Sequence, residues 1–177
     1  EFLNYIRNTF LDPGIVQKED IVAGCHCMSP AYIQHQLDVS RKNLGLSGLD
    51  VYYIHNPETQ LQEIPREKFV SRLRAAFEVL EKNVGDGKIH YYGTATWAGY
   101  RQEPDEQEYL SLEEIVNIAK DVAGENHHFK SIQLPLNLGM PEAVSMTNQP
   151  VNGTMTSLVN AAHEFDISLM ASASIYQ

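Results

Sequence analysis

The sequence has few basic residues, few cysteines and no long apolar run. Its 177 residues include 13 Lys and Arg against 23 Asp and Glu, which gives a formal charge of -10. Sequence-independent binding to the phosphates of a nucleic acid needs clustered Lys and Arg, so a nucleic-acid partner is not expected. No apolar run approaches the roughly 20 residues that cross a bilayer, and the N-terminus lacks the layout of a signal peptide. We therefore expect no membrane partner and a soluble, cytoplasmic protein.

Only two cysteines are present, Cys25 and Cys27, and they flank His26. With one residue between them they are too close for an unstrained disulfide. Zinc motifs usually space their ligands further apart and supply four of them. We therefore expect reduced thiols and no metal site.

The remaining sequence alternates strand-like with helix-like segments. This alternation is typical of parallel strands joined by crossover helices, and runs of consecutive apolar residues indicate strands covered on both faces. Without an internal repeat or a Pro/Ser-rich linker, we expect one domain over residues 1–177. The predicted strands are Asp20–Met28, Leu49–His55, Ile89–Thr96, Phe129–Asn137 and Ile167–Ser174. The predicted helices are Arg66–Val84, Ser111–Val122, Thr154–Phe165 and one through Leu37 to Leu44, with Ser29-Pro30 as its capping hydroxyl and first-turn proline.

One motif is specific: residues 44–57 read LGLSGLDVYYIHNP. This segment closely resembles the aldo-keto reductase signature, in which a Leu-Gly-Leu turn and a Val-Asp strand lead to a catalytic His before a Pro. Weaker similarities follow in the family's order at residues 87–93, 132–137 and 167–174. The resemblance implies an α/β fold of the (β/α)8 TIM-barrel type, present here in part. The chain starts without Met and stops after a strand-like run, so we expect the central portion of a barrel with both ends missing.

The resemblance also implies an activity and a set of site residues. The family reduces an aldehyde or ketone, or runs the reverse oxidation, with a nicotinamide cofactor, NADP or alternatively NAD, as hydride carrier. His55 would be the catalytic His that orients the carbonyl of a small-molecule substrate. Thr96, Gln133 and Ser172 fall on cofactor-binding positions, and Asn56 and Trp97 on the substrate pocket. We expect the family's Asp and Tyr to precede Glu1, so that the excerpt by itself is inactive.

Two departures from the family pattern leave alternatives open. Ala95 and Ser172 fall where the family has a Ser and a stacking aromatic. Either His26 replaces the family's Lys, or residues 1–28 belong to an insertion after the third strand and the Lys lies upstream; the sequence favours the insertion. The alternative function is a reductase-like cofactor-binding or regulatory domain without turnover.

Overall fold

The computed structural model describes residues 2–175 and has a mixed α/β architecture. A short π-helix at Arg7–Leu11 follows the first α-helix, and four 3-10 turns lie in the loops. The strands are β1 (Leu49–His55), β2 (Ile89–Ala95), β3 (Phe129–Pro135), β4 (Gln149–Val151), β5 (Thr154–Thr156) and β6 (Ser168–Ser172). The helices are α1 (Phe2–Ile6), α2 (Pro30–Leu44), α3 (Arg66–Gly85), α4 (Leu112–Ala123), α5 (Glu142–Ser145) and α6 (Leu158–Glu164).

The main sheet is parallel and has the strand order β1-β2-β3-β6. Helices lie between successive strands of this sheet along the chain, which is the βα alternation of the predicted barrel. Each of these four strands begins and ends within two residues of the prediction. The four-stranded parallel sheet therefore agrees with the partial barrel that the sequence predicts.

Helix α3 is the best-defined packing element. Its residues Phe69, Leu73, Ala76, Phe77 and Leu80 recur every three or four positions and are all fully buried. The stripe packs on β2 and on α4. Burying a side chain of Leu or Phe size stabilises a fold by about 1.5–3 kcal/mol, so this stripe is a main contribution to the core. The predicted helix is confirmed.

The helices cover only one face of the sheet in the described residues. Ile54, Thr94 and Ile132 lie on the helix side and are buried. On the other face, Tyr91 and Met170 are about half exposed, at 46% and 52%. In the described residues the second face is thus less covered at these positions than the helix side, whereas the apolar runs predicted that both faces are covered.

Two predicted elements differ from the structure. Residues 20–28 are not a strand: Ala23 and Gly24 adopt left-handed backbone angles, which reverse the chain so that Val22 bridges His26. The predicted helix over Thr154–Phe165 is wrong in its first part. Asn152 and Gly153 both have positive φ, the turn that joins hairpin strands β4 and β5, and the helix begins only after Ser157, whose side chain accepts from the Asn160 N–H.

Candidate active site

His55 is the last residue of β1, and its side chain is exposed at the C-terminal edge of the sheet. Asn56 follows in a left-handed conformation, with φ of 46°. Asparagine is enriched among the non-glycine residues in that region, so it suits a sharp exit from the strand. The Asn56 N–H donates to the carbonyl of Ala95 at 2.6 Å, and Pro57 then opens a 3-10 turn.

The register of the sheet brings the predicted site residues to one edge. His55 pairs with Ala95, Ala95 with Gln133, and Gln133 with Met170. Because paired residues in a parallel sheet share a face, His55 and Gln133 lie on the same face, the one that helices leave uncovered. Ser172 ends β6 at this same edge, opposite Pro135.

Thr96 follows β2 directly, and its N–H donates to the Gln133 carbonyl at 2.8 Å. The residue is 5% exposed, and its Oγ1 has no hydrogen-bond partner among the described residues. An unsatisfied buried hydroxyl costs about 1–3 kcal/mol. Thr96 is thus a polar group held at the edge of the sheet at a cost in stability.

A cavity of about 650 Å³ opens beside the outer edge of β1. Its walls come from β1, from α2 and from residues 25–28, and they include His55, Asn56, Tyr32 and His26. Thr96, Trp97, Gln133 and Ser172 do not line this cavity. The structure therefore brings His55 and Asn56 together in a concave site and leaves the other four predicted residues along the same edge.

His26 lies against His55, although residues 20–28 form no strand beside β1. Its Nε2 is 2.9 Å from the backbone oxygen of His55. Burial is the main cause that lowers the pKa of His26 below the ordinary value of 6.5, and nearby Arg72 lowers it further. Residues 20–28 form no strand, as an insertion would, yet His26 lies in the cavity beside His55, as a replacement of the family's Lys would, so both alternatives stay predictions. Cys25 and Cys27 are free thiols, as expected.

Glu58 is a site residue that sequence reasoning missed. Its side chain is buried, and Oε1 accepts hydrogen bonds from the N–H groups of Trp97, Ala98 and Gly99 at 3.0, 3.2 and 3.4 Å. Burial raises the pKa of this carboxyl despite these bonds, and Oε2 has no partner among the described residues. Glu58 thereby ties the loop after β1 to the loop after β2. Trp97 itself is 51% exposed.

The sequence profile of the aldo/keto reductase family matches residues 14–104, slightly more than half of the chain. The match includes His55, Asn56, Thr96 and Trp97, and it starts ahead of the segment that carries His26. The chain belongs to the aldo/keto reductase family. No curated protein matches it by overall sequence comparison.

Solved aldo/keto reductase barrels support the same fold. The glycerol dehydrogenase from Gluconobacter oxydans superposes with a TM-score of 0.52 and 20% identity over 82% of this chain. An aldo/keto reductase from Klebsiella pneumoniae, solved with NADP and acetate, superposes with a TM-score of 0.52 and 18% identity over 97% of it. The matched regions are 33% and 46% of those chains, so this chain spans less than half the length of either. At such identities the likeness concerns the fold alone.

The described residues contain neither a metal-ligand cluster nor a membrane-spanning helix. Within residues 2–175, no three His, Cys, Asp or Glu side chains converge as metal ligands would. No helix in that range has both the length and the apolar character needed to cross a bilayer. The candidate active site of this aldo/keto reductase chain is the C-terminal edge of the parallel sheet around His55, where the register brings the predicted residues together.

Proposed function

We propose that this chain is part of an NAD(P)-dependent oxidoreductase that reduces an aldehyde or ketone, or runs the reverse oxidation. The observation that carries the proposal is the position of His55. In a family of barrel enzymes, its exposed imidazole lies at the C-terminal end of a parallel strand and lines a cavity. Loops at this end of the strands form the active face of (β/α)8 barrels.

His55 orients the substrate in this proposal. An imidazole N–H can donate a hydrogen bond to a carbonyl oxygen, and that bond strengthens as negative charge develops on the oxygen during reduction. Asn56 lines the same cavity and supplies a second polar group beside the substrate. Trp97 supplies an exposed apolar surface on the neighbouring loop, where it is tethered by Glu58. A small carbonyl compound with an apolar portion fits this combination.

Thr96 and Gln133 would hold the nicotinamide end of NADP, or of NAD. When bound, the cofactor supplies the hydride. The fit rests on Thr96 Oγ1, a buried hydroxyl without a partner among the described residues, next to the strand that carries Gln133. A hydroxyl and a side-chain amide together match the donor and acceptor groups of a carboxamide. Ser172, at the end of β6, offers a hydroxyl but no ring for stacking.

Steady-state kinetics of the complete protein would test the proposal. His55→Ala should lower the turnover of a carbonyl substrate roughly tenfold to a thousandfold, the scale of losing a positioned hydrogen-bond donor. His90→Ala is the matched control, since His90 is an exposed histidine in the first half of β2. Equal turnover in wild type and His55→Ala would remove His55 from the mechanism.

A cofactor-binding protein without turnover is the second candidate. Ser172 favours it, because the family resemblance expects a stacking aromatic at that position, and Ala95 lacks the hydroxyl expected beside Thr96. Titration of the complete protein with NADPH and NADH, alongside a broad aldehyde panel, separates the two candidates. Tight binding with no consumption of cofactor for any aldehyde would favour the second.

A further inference from the structure

A continuous chain of hydrogen bonds leads from helix α3 to the backbone of His55. Arg72, on α3, donates from Nη1 to Gln60 Oε1. Gln60 Nε2 lies 2.8 Å from His26 Nδ1, and His26 Nε2 lies 2.9 Å from the His55 carbonyl oxygen. Gln60 is fully buried. The three side chains come from separate segments of the sequence and converge on one backbone atom.

The direction of every bond follows from the first. A guanidinium can only donate, so the Gln60 atom that faces Arg72 is the amide oxygen, and the atom that faces His26 is the NH2 group. His26 Nδ1 must then accept. In a neutral imidazole the other nitrogen carries the proton, so Nε2–H donates to the His55 carbonyl. A second Gln60 hydrogen bond, to the His26 backbone oxygen at 3.4 Å, is consistent with this orientation.

The peptide unit between His55 and Asn56 is held from both sides. Its N–H donates to Ala95 on the neighbouring strand at 2.6 Å, and its C=O accepts from His26 at 2.9 Å on the opposite, outer edge. The N–H and C=O of a trans peptide point in opposite directions, so two such anchors fix the rotation of the whole plane. That plane starts at the α-carbon that carries the His55 imidazole.

We propose that Arg72, Gln60 and His26 are positioning residues, which set the orientation of His55 by locking the peptide unit that follows it. This inference rests on the proposed function, since it assigns a purpose to the precise placement of His55. His26 is not a catalytic residue here, because it acts through the backbone of its neighbour.

Acid pH should disrupt the chain of hydrogen bonds. Protonation would put a hydrogen on His26 Nδ1, which faces the Gln60 NH2 group. The charged or titratable groups that act on His26 are Arg72 on α3 and His55 on β1. Those that line the cavity with it are Tyr32 on α2, Tyr52 and Tyr53 on β1, and Cys25 and Cys27 on its own loop. Asp20 acts on the neighbouring Cys27, and Glu63 accepts from the Ala23 N–H. Because the pKa of His26 is lowered in the fold, stability is unaffected above about pH 6.5 and falls as pH drops from 6.5 toward the lowered pKa.

The tautomer gives a direct structural test. Long-range 1H–15N spectra of the complete protein should show His26 as the Nε2–H tautomer, titrating below pH 6.5. In Gln60→Glu, a carboxylate faces both Arg72 and Nδ1, so His26 should hold a proton at Nδ1 and titrate at higher pH than in wild type. An Nδ1–H tautomer in the wild type, or no change in Gln60→Glu, would overturn the proposal.

Kinetics test the positioning role. His26→Leu removes the donor, and kcat should fall roughly tenfold to a hundredfold with a smaller change in KM. His26→Gln places an N–H donor where Nε2 lies, so it should recover most of the loss. Equal kcat in His26→Leu and His26→Gln would show that His26 contributes only packing, and would overturn the proposal. If His26→Leu does not fold, the kcat of His26→Gln is compared with that of His26→Ala instead.

Failure of the proposed function would look different. In that case His55→Ala would leave turnover unchanged, whereas the His26 tautomer and its response to Gln60→Glu would still be as described.

Discussion

Tyr53 Oη and Ser131 Oγ lie 2.6 Å apart, although strand β2 separates the two strands that carry them. The tyrosine ring reaches its partner by passing over Gly93. A Cβ at Gly93 would come within 3.0 Å of the ring and within 1.9 Å of the Ser131 carbonyl oxygen. The pairing of β2 with β3 also shifts register between Tyr92 and Gly93. The missing side chain at Gly93 therefore permits both the crossing and the close approach of the two strands.

Gly93→Ala should destabilise the protein by about 3 kcal/mol or more, because backbone and ring atoms would both have to move. Urea unfolding of the variant and of wild type measures this difference. Gly85→Ala is the matched control: an added Cβ at Gly85, the last residue of α3, would meet nothing within 4 Å. The free energy of unfolding of Gly85→Ala should exceed that of wild type by no more than about 1 kcal/mol. Equal effects at the two glycines would contradict the steric explanation.

Thr96→Val should raise stability and weaken the cofactor complex. Replacing the unpartnered hydroxyl with a methyl group of similar size removes a buried unsatisfied group, with an expected gain of about 1 kcal/mol. If Thr96 contacts the cofactor, the same change should raise the Kd for NADPH by roughly tenfold, the equivalent of about 1.4 kcal/mol.

Thr94→Val is the control for that experiment. The Thr94 hydroxyl bonds to Tyr100 Oη at 2.7 Å, so its loss should destabilise the protein rather than stabilise it. A stabilised Thr96→Val with unchanged NADPH affinity would exclude Thr96 from the cofactor site.

Glu58→Ala should free the loop after β2. Without Oε1, the N–H groups of Trp97, Ala98 and Gly99 lose their acceptor, at a cost of about 1–3 kcal/mol, and their amide hydrogens should exchange faster. Glu58→Gln keeps an acceptor oxygen and should retain the protection. Hydrogen exchange at these three amides distinguishes the two variants, and slow exchange in Glu58→Ala would show that another group holds the loop.

The pH dependence of stability should also differ between wild type and Glu58→Gln. Burial raises the pKa of Glu58 above its ordinary value of 4.5. The folded state then binds a proton more tightly than the unfolded state, which contributes stability below pH 4.5 that is lost as pH rises through the raised pKa. Relative to the glutamine variant, wild type should therefore lose stability from pH 4.5 towards neutrality. Urea unfolding of both proteins across that range measures the free energy of unfolding at each pH. If the two proteins showed the same dependence on pH, Glu58 would have an ordinary pKa.

Much of the fold could be predicted from periodicity. The α3 stripe was predictable because burial on one side of a helix imposes a repeat on the sequence, and the four parallel strands because they are short apolar runs between helix-like segments. The hairpin of β4 and β5 was missed although Asn152-Gly153 is a strong turn signal, because Thr154–Phe165 has helical spacing in its second half. The strand predicted at Asp20–Met28 failed for a local reason: Gly24 turns the chain back on itself within an apolar segment.

The candidate site was predictable only where one motif contains it. His55 and Asn56 belong to a contiguous motif, and their placement follows from the end of β1. Glu58 and Gln60 lie only a few residues further on, yet nothing local marks them, since their partners are Trp97, Ala98 and Gly99 for the first and Arg72 and His26 for the second. Contacts between residues 12 to 41 positions apart leave no periodic pattern in a single sequence.

The fixed direction of the hydrogen bonds from Arg72 to His55 restricts how related sequences can diverge. An acceptor at position 60 requires a donor at position 72, and the donor that Gln60 presents to His26 Nδ1 places the imidazole proton on Nε2, which faces the strand. A single change at one of these positions breaks the chain of donors, whereas a matched change at two can restore it. Among descendants of a common ancestor, positions 26, 60 and 72 should therefore be replaced together more often than one at a time.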